Sequence, residues 1–335
     1  MRRIANKIYA AFDGREGLHT LSGLCAQLIA GQKKSWPELW QAYESLKDVR
    51  VRGLECSGFA VRLQYNAGRM INSLASVDQE DIKERQCFLC AENLPQEQKG
   101  IFYRNKYLVL CNPRPVFHSH LTVVHINHRR QEIADNFGMF LQLIADLGSG
   151  WVVLYNGPQC GASAPDHLHF QVVPSGQMPI EKEIGDGTKR TGITEANAVK
   201  LYRAKDLGRG IIVLEGSDPV ALGNVFIKFQ GGLQKVLRMD EEPMMNVAGF
   251  YEGGAWRLIV FPRAKHRPDA FFREGDERIV VSPAVIEVGG VIVTPMERDF
   301  ERLDAKAVEA IYREVSLDVA IVDDAIANQC NTGLK

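Results

Sequence analysis

The stretch YNGPQCGASAPDHLHFQVVP, residues 155–174, decides how the chain is read. In a strand, alternate side chains share a face, so HxHxQ sets His167, His169 and Gln171 along one surface. Just before them, Asn156, Gly157 and Gly161, with Ser163, form a turn whose backbone can approach a ligand closely. Exposed amides and a serine hydroxyl beside two imidazoles suit a phosphate. A neutral imidazole keeps a free lone pair at pH 7 and is a capable nucleophile toward phosphorus. A neighbouring glutamine amide can donate to a non-bridging oxygen as charge redistributes in the transition state. His167 and His169 are therefore the candidate nucleophiles, with Gln171 and Ser163 beside them as phosphate contacts.

Outward from this stretch, the histidines cluster. Of eight in the chain, His118, His120, His125, His128, His167 and His169 lie between positions 118 and 169. His120 reads as a packed residue, and His125 receives no role. The two-residue gap of Cys87-Phe88-Leu89-Cys90 lets both thiolates reach one tetrahedral zinc, although redox pairs and chance give the same spacing.

Strand-like runs appear at residues 53–65, 107–113, 120–126, 151–157 and 167–174, then at GIIVLE, NVFIKF, WRLIVFP and GVIVTP in the second half. Residues 35–48 read as a helix capped by Ser35, with Pro37 early and Trp36, Leu39, Trp40, Tyr43 and Leu46 at helical spacing. Residues 131–147 and 305–327 read as helices too, and the charged, glycine-containing segment 181–196 as a surface connection. A faint repeat relates HLTVVHINHRR (120–130) to RLIVFPRAKHRP (257–268), and HFQVVP (169–174) to GVIVTP (290–295), with Gly290 at the echo of His169. The alternative is that both are ordinary edge patterns of antiparallel strands.

The bulk properties narrow the function classes. With 335 residues the chain suits two compact domains. A formal net charge of -1 supplies no field that would draw it to nucleic acid or anionic lipid. No segment approaches a membrane span, and the N-terminus fails as a signal peptide. Seven cysteines, an odd number, do not look like a disulfide framework, and a cytoplasmic setting is expected.

The motifs resemble the histidine-triad superfamily in its galactose-1-phosphate uridylyltransferase branch. HxHxQ after a GxS turn is similar to the active-site strand of the uridylyltransferases, diadenosine tetraphosphate phosphorylases and GDP-hexose phosphorylases, with HLHFQ closest to the last of these. The resemblance implies that His169 forms a nucleotidyl-histidine intermediate, steadied by Gln171. Ser163 matches a phosphate-contacting serine, one residue further from the histidines than in the uridylyltransferases. LQYNAGRM (63–70) resembles the QxNxxR segment of GDP-hexose phosphorylases, which makes Gln64, Asn66 and Arg69 nucleotide contacts; Arg69 would bring a fixed charge to phosphate. NPRPVFHSHLTVVHINH resembles the NPxP…HLLVxPxxH signature of the superfamily. In the uridylyltransferases the positions matching His128 and His167 complete the CxxC metal site, so the resemblance implies Cys87, Cys90, His128 and His167 around a structural zinc, iron being possible.

The resulting expectation is an α+β fold of two histidine-triad-like halves, each an antiparallel sheet with helices packed on one face. Residues 1–50 form an N-terminal helical segment, 51–180 the catalytic half and 181–335 a second, non-catalytic half. The expected activity is nucleotidyl transfer or phosphorolysis on a nucleotide diphosphate-sugar or dinucleotide, with a phosphate or sugar-phosphate acceptor. A dinucleoside polyphosphate hydrolase and a non-catalytic nucleotide sensor are the alternatives. Neither nucleic acid nor membrane is an expected partner, and the chain would be a monomeric pseudo-dimer or a homodimer. The basic run Lys265-His266-Arg267 is either an acceptor-phosphate contact or a solvated loop.

Overall fold

The computed structural model describes residues 4–14, 20–70, 82, 85–196 and 198–330. Residues 1–3 and 15–19 of the N-terminus lie outside them. The class is α+β, but the two halves do not keep separate sheets. One sheet of eleven strands runs through the molecule. Its first half holds β1 (Ile8–Phe12), β4 (Gly100–Tyr103), β5 (Tyr107–Cys111), β6 (Leu121–His125), β7 (Trp151–Asn156) and β8 (His169–Pro174). Its second half holds β9 (Arg190–Ala196), β10 (Val199–Ala204), β11 (Ile211–Gly216), β12 (Met245–Glu252) and β13 (Ala255–Pro262). The order β1-β4-β5-β6-β8-β7-β12-β13-β11-β10-β9 joins the halves through β7 and β12, antiparallel with Asn156 opposite Asn246 and Val153 opposite Gly249. A smaller sheet combines β2 (Arg50–Glu55), β3 (Ala60–Tyr65) and β14 (Val291–Thr294).

Within the large sheet, β1 aside, each half runs three strands, a helix and two strands along the chain, so the repeat is one of topology. It differs from the repeat read in the sequence. The strand of the second half that stands where β8 stands is β13, and β6 is matched by β11. GVIVTP is no counterpart of the histidine strand: β14 pairs parallel with β3 in the small sheet. Apolar strands of similar length look alike whatever their partner, which is why the wrong segments matched by eye.

Nor do the helices cover one face alone. On one side lie α1 (Leu21–Ser35), α2 (Pro37–Glu44), α3 (Phe137–Leu147), α5 (Pro219–Leu237) and α9 (Val319–Cys330). On the other lie the small sheet, α4 (Pro179–Glu183), α6 (Val285–Val288), α7 (Glu297–Arg302) and α8 (Ala305–Val315). Strand β7 shows the consequence: Val153 and Tyr155 pack into the first layer, Val152 and Leu154 into the second. A strand buried on both faces is a continuous apolar run.

Several local expectations change. The N-terminal segment is not wholly helical, because β1 extends the sheet parallel to β4. Ser35 caps nothing: it is the last residue of α1, and α2 starts behind Trp36 with Pro37 in its first turn. NVFIKF is helical, within α5. Asp218 accepts from the Val220 and Ala221 amides at its start, and Leu222, Val225, Phe226, Phe229 and Leu233 form its buried stripe. Part of the segment taken as a surface connection is β9, and the long C-terminal helix is two, broken at residues 316–318.

Helices α3 and α5 come from opposite halves and meet ring on ring, Phe137 and Phe226 stacking at 3.9 Å with planes 5° apart. Phe226→Ala should destabilise the protein by about 3–5 kcal/mol through the cavity left behind, measured by denaturant unfolding.

Candidate functional site

His169 opens β8, and main-chain ties hold it before its ring does anything. Gln131, fully buried, donates through Nε2 to the carbonyls of Asn156 (2.9 Å) and His169 (3.0 Å) and accepts from the His169 amide (2.8 Å). It stands between the ends of β7 and β8, where the ladder between them has stopped. The His169 ring donates through Nδ1 to the His167 carbonyl at 2.8 Å, since a carbonyl can only accept. Its Nε2 therefore carries the lone pair. Burial pushes the imidazole down to about 4, so the ring is neutral at ordinary pH.

A cavity of about 450 Å³ opens in front of this ring. Its wall includes His169, Gln171, Ser163, Gly161, Asn156 and Arg69. Gln64, Asn66 and Gly157 are not brought to the wall. Gln64 donates to the Val116 carbonyl (3.2 Å), and Asn66 accepts from the Gly68 amide (3.1 Å), capping the turn that carries Arg69. Gly157 donates its own amide to the Met245 carbonyl (3.0 Å). Gly161, at φ +92°, needs its missing side chain, because a Cβ there would lie 2.4 Å from that of Ala284. Lys265, His266 and Arg267 are absent from the wall. Lys265 pairs with Asp269 and Glu314, and Arg267 donates to Ser282.

Beside His169, the Gln171 amide has one orientation. The Val116 amide donates to His120 Nδ1 (3.2 Å), which leaves the proton on Nε2, and that group donates to Gln171 Oε1 at 2.8 Å. Burial, helped by the charge of Arg69, pushes His120 down to about 3, so it stays in this neutral form. Gln171 is left with its NH2 for the cavity. His120 is thus the packed residue the sequence suggested and also the one that sets the glutamine.

Two further parts of the wall differ in chemistry. Phe88, Leu89, Leu94, Pro95 and Leu110, with the amide of Asn93, form an apolar part; Arg69, Arg114 and Glu287 form a charged one. Arg69 donates to the Arg114 carbonyl at 2.7 Å, and Glu287 reaches the site from α6 in the second half. None of Gln131, Arg114 and Glu287 stood out in the sequence: Arg114 fills the variable position of the NPxP signature, Gln131 opens a helical segment, and Glu287 follows no pattern.

Behind His169, Cys87, Cys90, His128 and His167 come together, their ligand atoms all within 4.8 Å of one another. His167 Nδ1 is 3.2 Å from Cys87 Sγ and 3.6 Å from Cys90 Sγ, and His128 Nδ1 is 3.3 Å from Cys90 Sγ. His167 donates Nε2–H to the His125 carbonyl at 2.7 Å, which frees Nδ1 for the cluster. His167 therefore precedes the strand and turns away from the face shared by His169 and Gln171. Two thiols and two correctly presented imidazoles suit a tetrahedral cation, and the four side chains can hold a metal ion.

Against known families, residues 28–174 match the Domain of unknown function (DUF4922), and residues 246–332 match the GDPGP1-like, C-terminal domain. No curated protein matches the sequence. The fold is that of yeast Ap4A phosphorylase. Its structure with AMP is 17% identical with a TM-score of 0.57, covering 88% of this chain and 96% of that one. Its structure with Ap4A is 15% identical with a TM-score of 0.54, covering 84% and 97%. An ADP-glucose phosphorylase from Arabidopsis thaliana with bound ADP-glucose is 16% identical, with a TM-score of 0.34 over 80% of this chain and 100% of that one. Among the described residues no helix is long and apolar enough to cross a membrane.

The segment carrying Gln131 is pinned from the second half. Glu242 accepts from the Ile133 amide at 2.7 Å and from the Tyr155 hydroxyl. Burial pushes its carboxyl up to about 7, against those hydrogen bonds. A carboxyl raised on folding stabilises the fold fully at acid pH, and that contribution is lost as pH rises through about 7. Glu242→Gln should therefore flatten the fall in melting temperature between about pH 5 and pH 8, read by calorimetry across that range.

Proposed function

We propose that the chain is a nucleotidyl-transferring enzyme that acts on a nucleotide diphosphate-sugar or a dinucleotide, with His169 as nucleophile. The observation that carries this reading is the His169 ring. It is neutral, fixed by its Nδ1–H on the His167 carbonyl, and turns an unprotonated Nε2 to a cavity lined by amide and hydroxyl donors. In the first step Nε2 attacks the α-phosphorus, the N–P bond forms, and the bond from phosphorus to the bridging oxygen breaks. The sugar phosphate or nucleotide leaves with that electron pair. In the second step an acceptor phosphate oxygen displaces the imidazole, which regains its lone pair. Gln171, through Nε2, and Ser163 donate to the phosphoryl oxygens as charge builds on them. Arg69 offers fixed charge to the phosphates.

The apolar wall around Phe88 and Leu89 suits the base, and the polar wall at Arg114 and Glu287 suits the sugar or acceptor. A volume of about 450 Å³ sits inside the range of about 300–1,000 Å³ usual for such ligands. The fold shared with a phosphorylase known in complex with AMP and with Ap4A supports a nucleotide at this place, and phosphate is the acceptor we favour. For the cluster we propose zinc, held by Cys87, Cys90, His128 and His167. When bound it would tie the CxxC loop to the segment before β8 and fix the His167 carbonyl, hence the His169 ring. Domain limits at residues 50 and 180 and a cytoplasmic enzyme, a monomeric pseudo-dimer or a homodimer, complete the reading.

Incubation with nucleotide sugars and diadenosine polyphosphates without phosphate, quenched in base, should give a mass gain of one nucleoside monophosphate. His169→Ala should show none. Wild type free of adduct despite measurable nucleotide binding would overturn the covalent mechanism. Elemental analysis of purified protein should find close to one zinc per chain, and Cys90→Ser should lose most of it and melt at lower temperature.

A further inference from the structure

Among the described residues the second half carries a buried charge held in no direct ion pair, the buried Glu287 carboxylate acting on it only from a distance. Arg263 is 2% exposed, and among the described residues no carboxylate forms an ion pair with it. Its guanidinium donates to the carbonyls of Val315 (3.1 Å), Pro283 (2.9 Å), Lys265 (3.1 Å) and His266 (3.1 Å), and to Asn246 Oδ1. Burying a charge on carbonyls alone is expensive. The one side chain it contacts leads straight to the cavity.

Asn246, fully buried, donates through Nδ2 to the Cys160 carbonyl (2.7 Å) and to Asn156 Oδ1 (2.8 Å). Asn156 Oδ1 accepts a second bond from the Val285 amide at 2.8 Å. Each amide orientation is fixed by a partner that can act only one way. The guanidinium and the Val285 N–H only donate, and the Cys160 carbonyl only accepts. The Asn156 NH2 is therefore turned to the cavity that Asn156 lines. Donation into Asn246 Oδ1 also polarises its N–H bonds, and the effect passes along the chain of amides.

We propose that Arg263 and Asn246 are positioning residues. From the half without the histidine they hold the Asn156 NH2 toward the α-phosphate and strengthen it as a donor to the transferring group. This rests on the nucleotidyl-transfer reading above. It also gives a task to the 257–268 segment, whose Lys265-His266-Arg267 run does not reach the cavity.

The test is a double-mutant cycle on the full chain with single-turnover adduct formation as readout. The probe is whichever of UDP-glucose, GDP-glucose, ADP-glucose or diadenosine tetraphosphate labels wild type fastest. In Asn246→Asp the new carboxylate pairs with Arg263 but offers no donor, and repulsion turns the Asn156 carbonyl toward the phosphate. Labelling should slow by about 100-fold, the scale for loss of one transition-state donor. In an Asn156→Ala background the same change should slow labelling by less than about two-fold, because the effect passes through Asn156. Equal slowing in both backgrounds, or none in wild type, overturns the proposal while leaving the nucleotidyl-transfer reading intact. A wild type that no probe labels overturns both. If Asn246→Asp does not fold, Asn246→Ser, whose hydroxyl is too short to reach, enters the same cycle with the same criteria.

Discussion

The antiparallel ladder between β7 and β12 is the interaction on which the rest of the molecule depends. Main-chain hydrogen bonds from Val153 opposite Gly249 to Asn156 opposite Asn246 turn two half-sheets into one. Such a ladder leaves little freedom of register, because a slip by one residue would exchange the two buried faces of β7. The end of the seam is also the edge of the cavity. Asn246 is set behind Asn156 by pairing alone, and β12 brings with it β13, which ends just before Arg263. The half without the HxHxQ strand thus builds the floor of the site from the main chain upward.

Around His169 the structure divides its tasks between two sides of one short segment. On one side His167 turns to the cysteines; on the other His169 and Gln171 face the cavity. The carbonyl of His167 joins the two, because it is the acceptor that fixes the His169 tautomer. No single bond here is strong. The precision comes from rings and amides whose every partner admits one orientation, from Val116 through His120 to Gln171 and from Gln131 to the backbone of His169.

The parts legible in the sequence were those whose chemistry demands particular residues at fixed spacing. HxHxQ, the GxS turn and CxxC fall in this class, and the cysteines and histidines do meet. Gln64 and Asn66 lie off the cavity wall, which the sequence does not reveal, because a buried amide near a ligand and a buried amide serving a turn use the same residue type. NVFIKF was read as a strand because a short apolar run fits both periods; Asp218-Pro219 ahead of it was the signal for a helix. The joining of the half-sheets left no mark, since β7 and β12 are apolar on both faces whichever strands flank them. Arg263 and Glu287 were invisible for another reason. Nothing local distinguishes a buried charge from a solvated one, and only the tertiary contacts remove the water.

The parallel pairing of Val291–Thr294 with Arg62–Tyr65 bears on how the chain folds during synthesis. Strand β3, and with it the turn that carries Arg69, waits for a partner separated from it by most of the chain. Closing a loop of that length costs entropy before any contact rewards it, and such pairings form late. Until residues 285–315 have been made, the nascent first half therefore lacks the cover that α6, α7 and α8 give the apolar side of β3. The cavity is complete only once Ala284, Ile286 and Glu287 have been made and have docked, and until then apolar surface left open favours aggregation.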